Sequence, residues 1–144
     1  MTAVTTKILL VEDSKFMRLA TERALARAGY DVSTAMDGET ALDFARCILP
    51  DLILLDLLLP KMGGLDVLRA LKKDPKTARI PIVVLTGMSE KNAERLEKDG
   101  AYTFLSKEAL SLDKGSEPLL QVVGSIVRDL GLRVPQPECA ATGE

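Results

Sequence analysis

The feature that most restricts what this chain can fold into is the run Leu52-Ile53-Leu54-Leu55, set between the carboxylates of Asp51 and Asp56. No polar residue interrupts it, so it lacks the alternation of a strand with one wet face. An unbroken apolar run of this length fits a strand covered on both faces, as at the centre of a parallel sheet. Pro50 precedes it and Pro60-Lys61-Met62-Gly63-Gly64 follows, so both ends are punctuated and the run is too short for an independent helix. Asp56 therefore stands where a buried strand passes into a loop. In open α/β sheets ligands bind at that carboxyl edge, and a carboxylate there is costly to bury without a partner.

Similar runs recur along the chain. Lys7 to Val11 reads as a second buried strand, ending in Glu12-Asp13, and Ser14 is placed to cap the segment that follows. From Lys15 to Ala28 the pattern is helical, with Met17, Ala20, Thr21, Ala24, Leu25 and Ala28 on one face and Gly29 as the stop. Tyr30 to Ala35 alternates and suits an edge strand. Glu39 to Leu49 is helical after the Asp37-Gly38 turn, with Ala41, Leu42, Ala45 and Ile48 inward. Leu65 to Lys72 forms a further helix, striped by Leu65, Leu68 and Leu71. Ile80 to Leu85 is a buried strand leading to Thr86-Gly87, with Pro81 tolerable near its start. A short charged helix is expected from Ser89 to Lys98, ended by Asp99-Gly100, and a last strand from Ala101 to Leu105, left by Ser106-Lys107. Glu117 to Leu130 is the clearest amphipathic helix, with Leu119, Val122, Val123, Ile126, Val127 and Leu130 inward and Gly131 as its stop.

Strands alternating with helices predict an α/β fold: a doubly wound, five-stranded parallel sheet in the order 2-1-3-4-5, flavodoxin-like, with helices on both faces. The expected division is a short N-terminal extension over 1–6, one domain over 7–131, and a disordered tail over 132–144 that carries Pro135 and Pro137 without periodicity.

Composition removes several functional classes. The net charge of −2 gives no reason to expect nucleic acid or anionic lipid as a partner. No apolar run approaches the roughly 20 residues that span a bilayer, and the start lacks a signal peptide's apolar region. The expected compartment is the cytoplasm, where Cys47 and Cys139 would stay as free thiols. The chain has 0 histidines, which excludes Ser-His and Cys-His catalysis and His-based metal sites. It also excludes a phosphohistidine on the chain itself.

What remains is chemistry by carboxylate, hydroxyl and lysine. Glu12 and Asp13 leave the first strand, Asp56 the third, Thr86 the fourth and Lys107 the fifth. Singly, each has an ordinary structural reading: an acid at a strand end, a helix cap, a surface charge. In the 2-1-3-4-5 order, however, these edges converge on one crevice. Clustered acids there repel one another unless a cation compensates. A hard, oxygen-preferring divalent ion does so, and Mg²⁺ is the abundant candidate. A hydroxyl and an ammonium opposite leave room for a dianionic group, and a phosphoryl group fits.

The chain resembles the receiver domain of bacterial two-component response regulators from Lys7 to about Leu130. The motifs that carry the resemblance are Ile8-Leu9-Leu10-Val11-Glu12-Asp13, Leu54-Leu55-Asp56 with Pro60 and Gly63-Gly64 after it, Val84-Leu85-Thr86-Gly87, and Gly100-Ala101 leading to Lys107. The resemblance implies that Asp56 is the phosphoacceptor and that Glu12, Asp13, Asp56 and the backbone carbonyl of Leu58 hold Mg²⁺. It implies that Thr86 and Lys107 contact phosphoryl oxygens and that Phe104 is the switch aromatic coupled to Thr86. The implied partners are a sensor histidine kinase or histidine phosphotransfer protein and a downstream protein target, with no nucleic acid or membrane. The output surface is the face made by the 89–98 helix, the fifth strand and the last helix, through which a homodimer could form. The domain would be a signalling phosphoacceptor and not an enzyme, and it would stand alone.

Departures from the family pattern carry expectations of their own. Glu108 replaces the usual proline after the lysine, so a trans 107–108 peptide is expected, a cis bond there costing about 3 kcal/mol. The segment Glu108–Ser116 looks long, which alters the output face. Leu58 and Met88, two residues after Asp56 and Thr86, are apolar and cannot orient water, which implies a long-lived acyl phosphate. Phe16 and Leu19 lie off the core face of the first helix, where the resemblance puts kinase docking. Two other readings stand beside this one: a phosphorylation-silent interaction module of the same fold, and a small Mg²⁺-dependent phosphohydrolase. The complete acid, Thr86 and Lys107 set disfavours the first. The second needs a base near Asp56 that positions 58 and 88 do not offer.

Overall fold

The computed structural model describes residues 5–57, 59, 62–86, 97–106 and 117–132. Its strands are β1 (Lys7–Val11), β2 (Asp31–Ala35), β3 (Leu52–Asp56), β4 (Ile82–Thr86) and β5 (Thr103–Ser106). Its helices are α1 (Lys15–Arg27), α2 (Gly38–Ile48), α3 (Gly64–Lys73) and α4 (Glu117–Asp129). The strands form one parallel sheet in the order β2-β1-β3-β4-β5, as the alternation of elements predicts.

The unbroken apolar run at the centre explains how the layers close. Every residue of β3 and β4 is buried, and successive side chains point to opposite faces. Leu9, Val11, Ile53, Leu55, Ile82 and Val84 face Ala41 and Ala45 of α2 and Val67, Leu68 and Leu71 of α3. Ile8, Leu10, Leu52, Leu54, Val83 and Leu85 face Ala24 and Leu25 of α1 and Leu119, Val123, Ile126 and Val127 of α4. Each fully buried Leu or Ile contributes about 1.5–3 kcal/mol relative to exposure. The central strands therefore fix the register that delivers both acid-bearing ends to one edge. β2 lies at a sheet edge, the place its alternating sequence suits.

Helix ends follow the sequence signals. The Ser14 side chain accepts from Met17 N and the Asp37 side chain from Thr40 N, capping α1 and α2. Gly29 and Gly131 stand just past α1 and α4 at φ 103° and 76°, a region that costs a glycine little.

Several expected bounds shift. Tyr30, Ile80, Pro81, Ala101 and Tyr102 lie outside the strands, and β5 runs on through Ser106. Pro81 has no N–H to give the ladder, yet its carbonyl still accepts from Ile53 N at 3.0 Å. α2 begins at Gly38 and ends at Ile48, and Leu49 caps it in the left-handed conformation at φ 51° with its N–H donating to Ala45 O. Of the expected 89–98 helix only Glu97 and Lys98 are described, and both are helical. Leu132, the first residue of the expected tail, packs against the core and donates to Val127 O at 2.9 Å; the expectations for residues 1–4, Leu58, Met88, the 107–108 peptide, the 108–116 segment and the rest of the tail lie outside the described residues. Among the described residues no helix is long and apolar enough to cross a membrane.

At the edge of the sheet opposite the acids, α2 is tied to the turn after α3. Asp74 Oδ2 accepts from Arg46 Nε at 2.7 Å, and Asp74 Oδ1 accepts from Lys76 N at 3.0 Å. The hydrogen bond from Arg46, then that from Lys76, holds the Asp74 carboxyl below its ordinary value of 3.8. A depressed folded-state pKa adds stability that is present above the unfolded value and lost as pH falls through the folded one. Asp74→Asn should therefore lower the urea midpoint at neutral pH, and the gap to the wild type should close as pH falls below 3.8. A gap independent of pH would mean that the pair contributes nothing electrostatic.

Candidate functional site

β1 and β3 are neighbours, with Val11 opposite Leu55, so the residues after Val11 and the last residue of β3 leave the sheet side by side. Glu12, Asp13 and Asp56 consequently gather into one cluster, each offering a carboxylate oxygen within 4.8 Å of the others. Asp56 is 1% exposed and Glu12 3% exposed, whereas Asp13 is open to solvent. Among the described residues, every buried side-chain nitrogen or oxygen has a hydrogen-bond partner. Burial without isolation is what such acids require.

The loop carrying Glu12 and Asp13 is held from several sides. Glu12 N donates to Ala35 O at 3.0 Å, fastening it to the end of β2. Ser14 N donates to Glu12 Oε2 at 3.2 Å, which orients the buried carboxylate. Arg18 Nη1 donates to the carbonyl of Glu12 at 3.2 Å and to that of Asp13 at 3.4 Å. Arg18 does not stand out in the sequence as a site residue. Its one signal is that α1 has no acid in its first turn and carries Lys15 and Arg18 near its positive end. A cation there is unfavourable unless it finds acceptors outside the helix.

On the other side, Asp56 lies opposite Leu85, so Thr86 leaves β4 one position beyond the carboxylate. Thr86 is 3% exposed and faces Ser106 at the end of β5. Phe104 lies opposite Val84, and alternation puts Thr86, Val84 and Phe104 on one face of the sheet. Phe104 is partly buried against the cluster beneath α2 and α3. Lys107 follows Ser106 in sequence and lies outside the described residues, as does Leu58. The described residues thus bring together Glu12, Asp13 and Asp56, with Thr86 on the next strand and Phe104 diagonal to it.

The loop after Asp56 is closed by a glycine. Gly64 N donates to Leu57 O at 3.0 Å. A Cβ at Gly64 would lie 2.6 Å from Leu57 Cα, 2.7 Å from Leu57 O and 2.8 Å from Asp56 O. All of these are backbone atoms that cannot rotate aside. The sequence marks Gly63-Gly64 as loop residues but not this contact.

An all-oxygen donor set of this kind fits a hard divalent cation such as Mg²⁺ or Mn²⁺, not a softer metal that prefers nitrogen or sulfur.

Comparison with known proteins agrees with this geometry. Residues 8–114 match the model of the response regulator receiver domain family. The chain is 44% identical over 103 residues to the response regulator PleD of Caulobacter vibrioides, covering 70% of this chain and 22% of that relative, so it spans about a fifth of that protein's length. The structure of the chemotaxis response regulator CheY4 of Vibrio cholerae superposes with a TM-score of 0.75 at 30% identity, covering 83% of this chain and 97% of that one. The Mn²⁺-bound form of response regulator Rcp1 superposes with a TM-score of 0.64 at 34% identity, covering 71% of this chain and 81% of that one.

Gly64→Ala should push the β3–α3 loop off Asp56 and Leu57 and lower stability by about 1–3 kcal/mol, read by urea denaturation. An unchanged midpoint would show that the loop yields without cost.

Proposed function

The chain belongs to the response regulator receiver domain family, and from that premise we propose that it accepts a phosphoryl group on Asp56 from a partner's phosphohistidine. The observation that carries the reading is the convergence of Glu12, Asp13 and Asp56 at one sheet edge. The partner must supply the histidine, because this chain has 0 of them. A sensor histidine kinase or a histidine phosphotransfer protein has the required chemistry.

In the transfer, an Asp56 carboxylate oxygen forms a bond to phosphorus as the N–P bond of the phosphohistidine breaks. The partner's imidazole leaves with the electron pair. Glu12, Asp13, Asp56 and the carbonyl of Leu58 would hold Mg²⁺, which when bound neutralises charge that would otherwise repel the incoming phosphoryl group. The Thr86 hydroxyl donates to one phosphoryl oxygen and the Lys107 ammonium pairs with another. Thr86 is drawn toward the phosphoryl group, and Phe104, on the same face, takes up the space released. That biases a surface made by the 89–98 segment, β5 and α4, which a downstream protein or a second copy reads.

Acetyl phosphate and Mg²⁺ should add the mass of one phosphoryl group to the wild type and none to Asp56→Asn, by intact-mass spectrometry. No adduct on the wild type would favour the phosphorylation-silent module.

The apolar Leu58 and Met88 leave no side chain to orient an attacking water, which gives a persistent acyl phosphate. Leu58→Asn combined with Met88→Glu should speed loss of the label by about tenfold or more. An unchanged decay would refute that account.

Phe16 is 74% exposed in the first turn of α1, beside the acid-bearing loop, whereas Leu19 is only half-buried. Docking of the phosphohistidine partner uses Phe16 in this reading. Phe16→Ala should slow transfer from that partner and spare labelling by acetyl phosphate. Equal loss with both donors would place the defect in the site itself.

A further inference from the structure

We propose that Arg18 is a positioning residue for divalent-ion binding: by holding the carbonyls of Glu12 and Asp13, it fixes the loop whose side chains face Asp56. The inference rests on reading the acidic cluster as an ion site. It adds a residue that offers the ion no ligand atom.

The ladder of β1 ends at Val11, so regular strand geometry no longer dictates the backbone from Glu12 onward. Glu12 is kept in place by Ala35 O on one side and by Ser14 N on its carboxylate. Asp13 is exposed, and burial does not hold its side chain. A rotation of the Glu12–Asp13 or Asp13–Ser14 peptide would redirect the Asp13 carboxylate away from Asp56. Arg18 Nη1 donates to the carbonyl oxygens of both peptides, at 3.2 and 3.4 Å, and so opposes either rotation. Arg18 can do this because its own backbone is fixed. Its N–H donates to Ser14 O at 2.8 Å, in a helix capped by the Ser14 side chain. The bonds come from a charged donor, the stronger class of hydrogen bond. One loop of a few residues thereby meets β2, its own turn and α1.

A guanidinium near an ion site has two opposed effects. Its charge repels a divalent cation and weakens binding, while its grip on the loop pre-arranges the ligands and strengthens it. The geometry favours the second. The donors point at backbone carbonyls, so the acids keep their charge for the ion instead of spending it on an ion pair with Arg18.

Calorimetric titration of the full chain with Mn²⁺ at fixed ionic strength distinguishes the two. Arg18→Ala, which removes both charge-assisted hydrogen bonds, should weaken Mn²⁺ binding about tenfold or more, while its urea midpoint in EDTA stays close to that of the wild type. Arg18→Lys, which keeps a cation able to meet a carbonyl, should recover part of the affinity. Binding as tight as or tighter than the wild type in Arg18→Ala would overturn the inference. So would a loss of affinity accompanied by an equivalent loss of ion-free stability. If Arg18→Ala does not fold, Arg18→Lys alone decides, with weaker binding at unchanged stability expected and wild-type affinity overturning the proposal. A wild type that takes up no Mn²⁺ would remove the ion site itself, a result distinct from failure of Arg18's role.

Discussion

Repulsion among neighbouring carboxylates governs the C-terminal edge of this sheet. Glu12, Asp13 and Asp56 bring oxygens within 4.8 Å of one another. An ionised pair at that separation costs about 3 kcal/mol at an effective dielectric of about 20. Domains of this size are stable by only about 5–15 kcal/mol, so the cost is a sizeable fraction of the whole. Solvent screens Asp13, which is exposed, more than Glu12 and Asp56, which are buried. Local bonds offset part of it, as Ser14 N does at Glu12. A hard divalent cation is an addition that would attract all three acids together.

Such crowding can be built only on a framework that does not give way. β1 and β3 provide it because helices cover the sheet on both faces. Close-packed interiors transmit strain and do not absorb it. A slip of one residue in either strand would turn its apolar set outward, so register is held by the whole core. The same packing that makes Leu52–Leu55 unreadable as a one-faced strand holds Asp56 against its neighbours.

The sheet and the acid cluster were legible in the sequence for one reason: both depend on what a residue is, not on where a distant side chain goes. Apolar runs bounded by Pro and Gly gave the strands, and a strand order with the first and third adjacent was enough to unite Glu12, Asp13 and Asp56. Ser14 as a cap was equally local, and Asp37, marked only as a turn residue, also caps its helix. Side-chain to backbone contacts across the fold were not legible. Arg18 reaches carbonyls that become available only once β1 has ended and α1 has begun. Gly64 looks like any loop glycine until α3 docks against Asp56 and Leu57. Leu49 shows none of the usual left-handed signals, and the proline after it would by itself favour extended backbone.

Burial also separates where chemistry can occur from where a response can. β3 and β4 are buried throughout, whereas every residue of β5 is only partly buried. A shift at Thr86 meets incompressible packing toward the centre of the sheet. Toward the edge it meets Phe104, diagonal to it on the same face, in the last and only partly buried strand of the sheet. Packed elements respond by moving between discrete arrangements, and the least constrained of them moves first. If Thr86 responds to a phosphoryl group on Asp56, displacement is therefore directed to β5 and the surface beside it. Glu12, Asp13 and Asp56, at the end of the buried centre, would then remain still while the displacement passes to the edge strand.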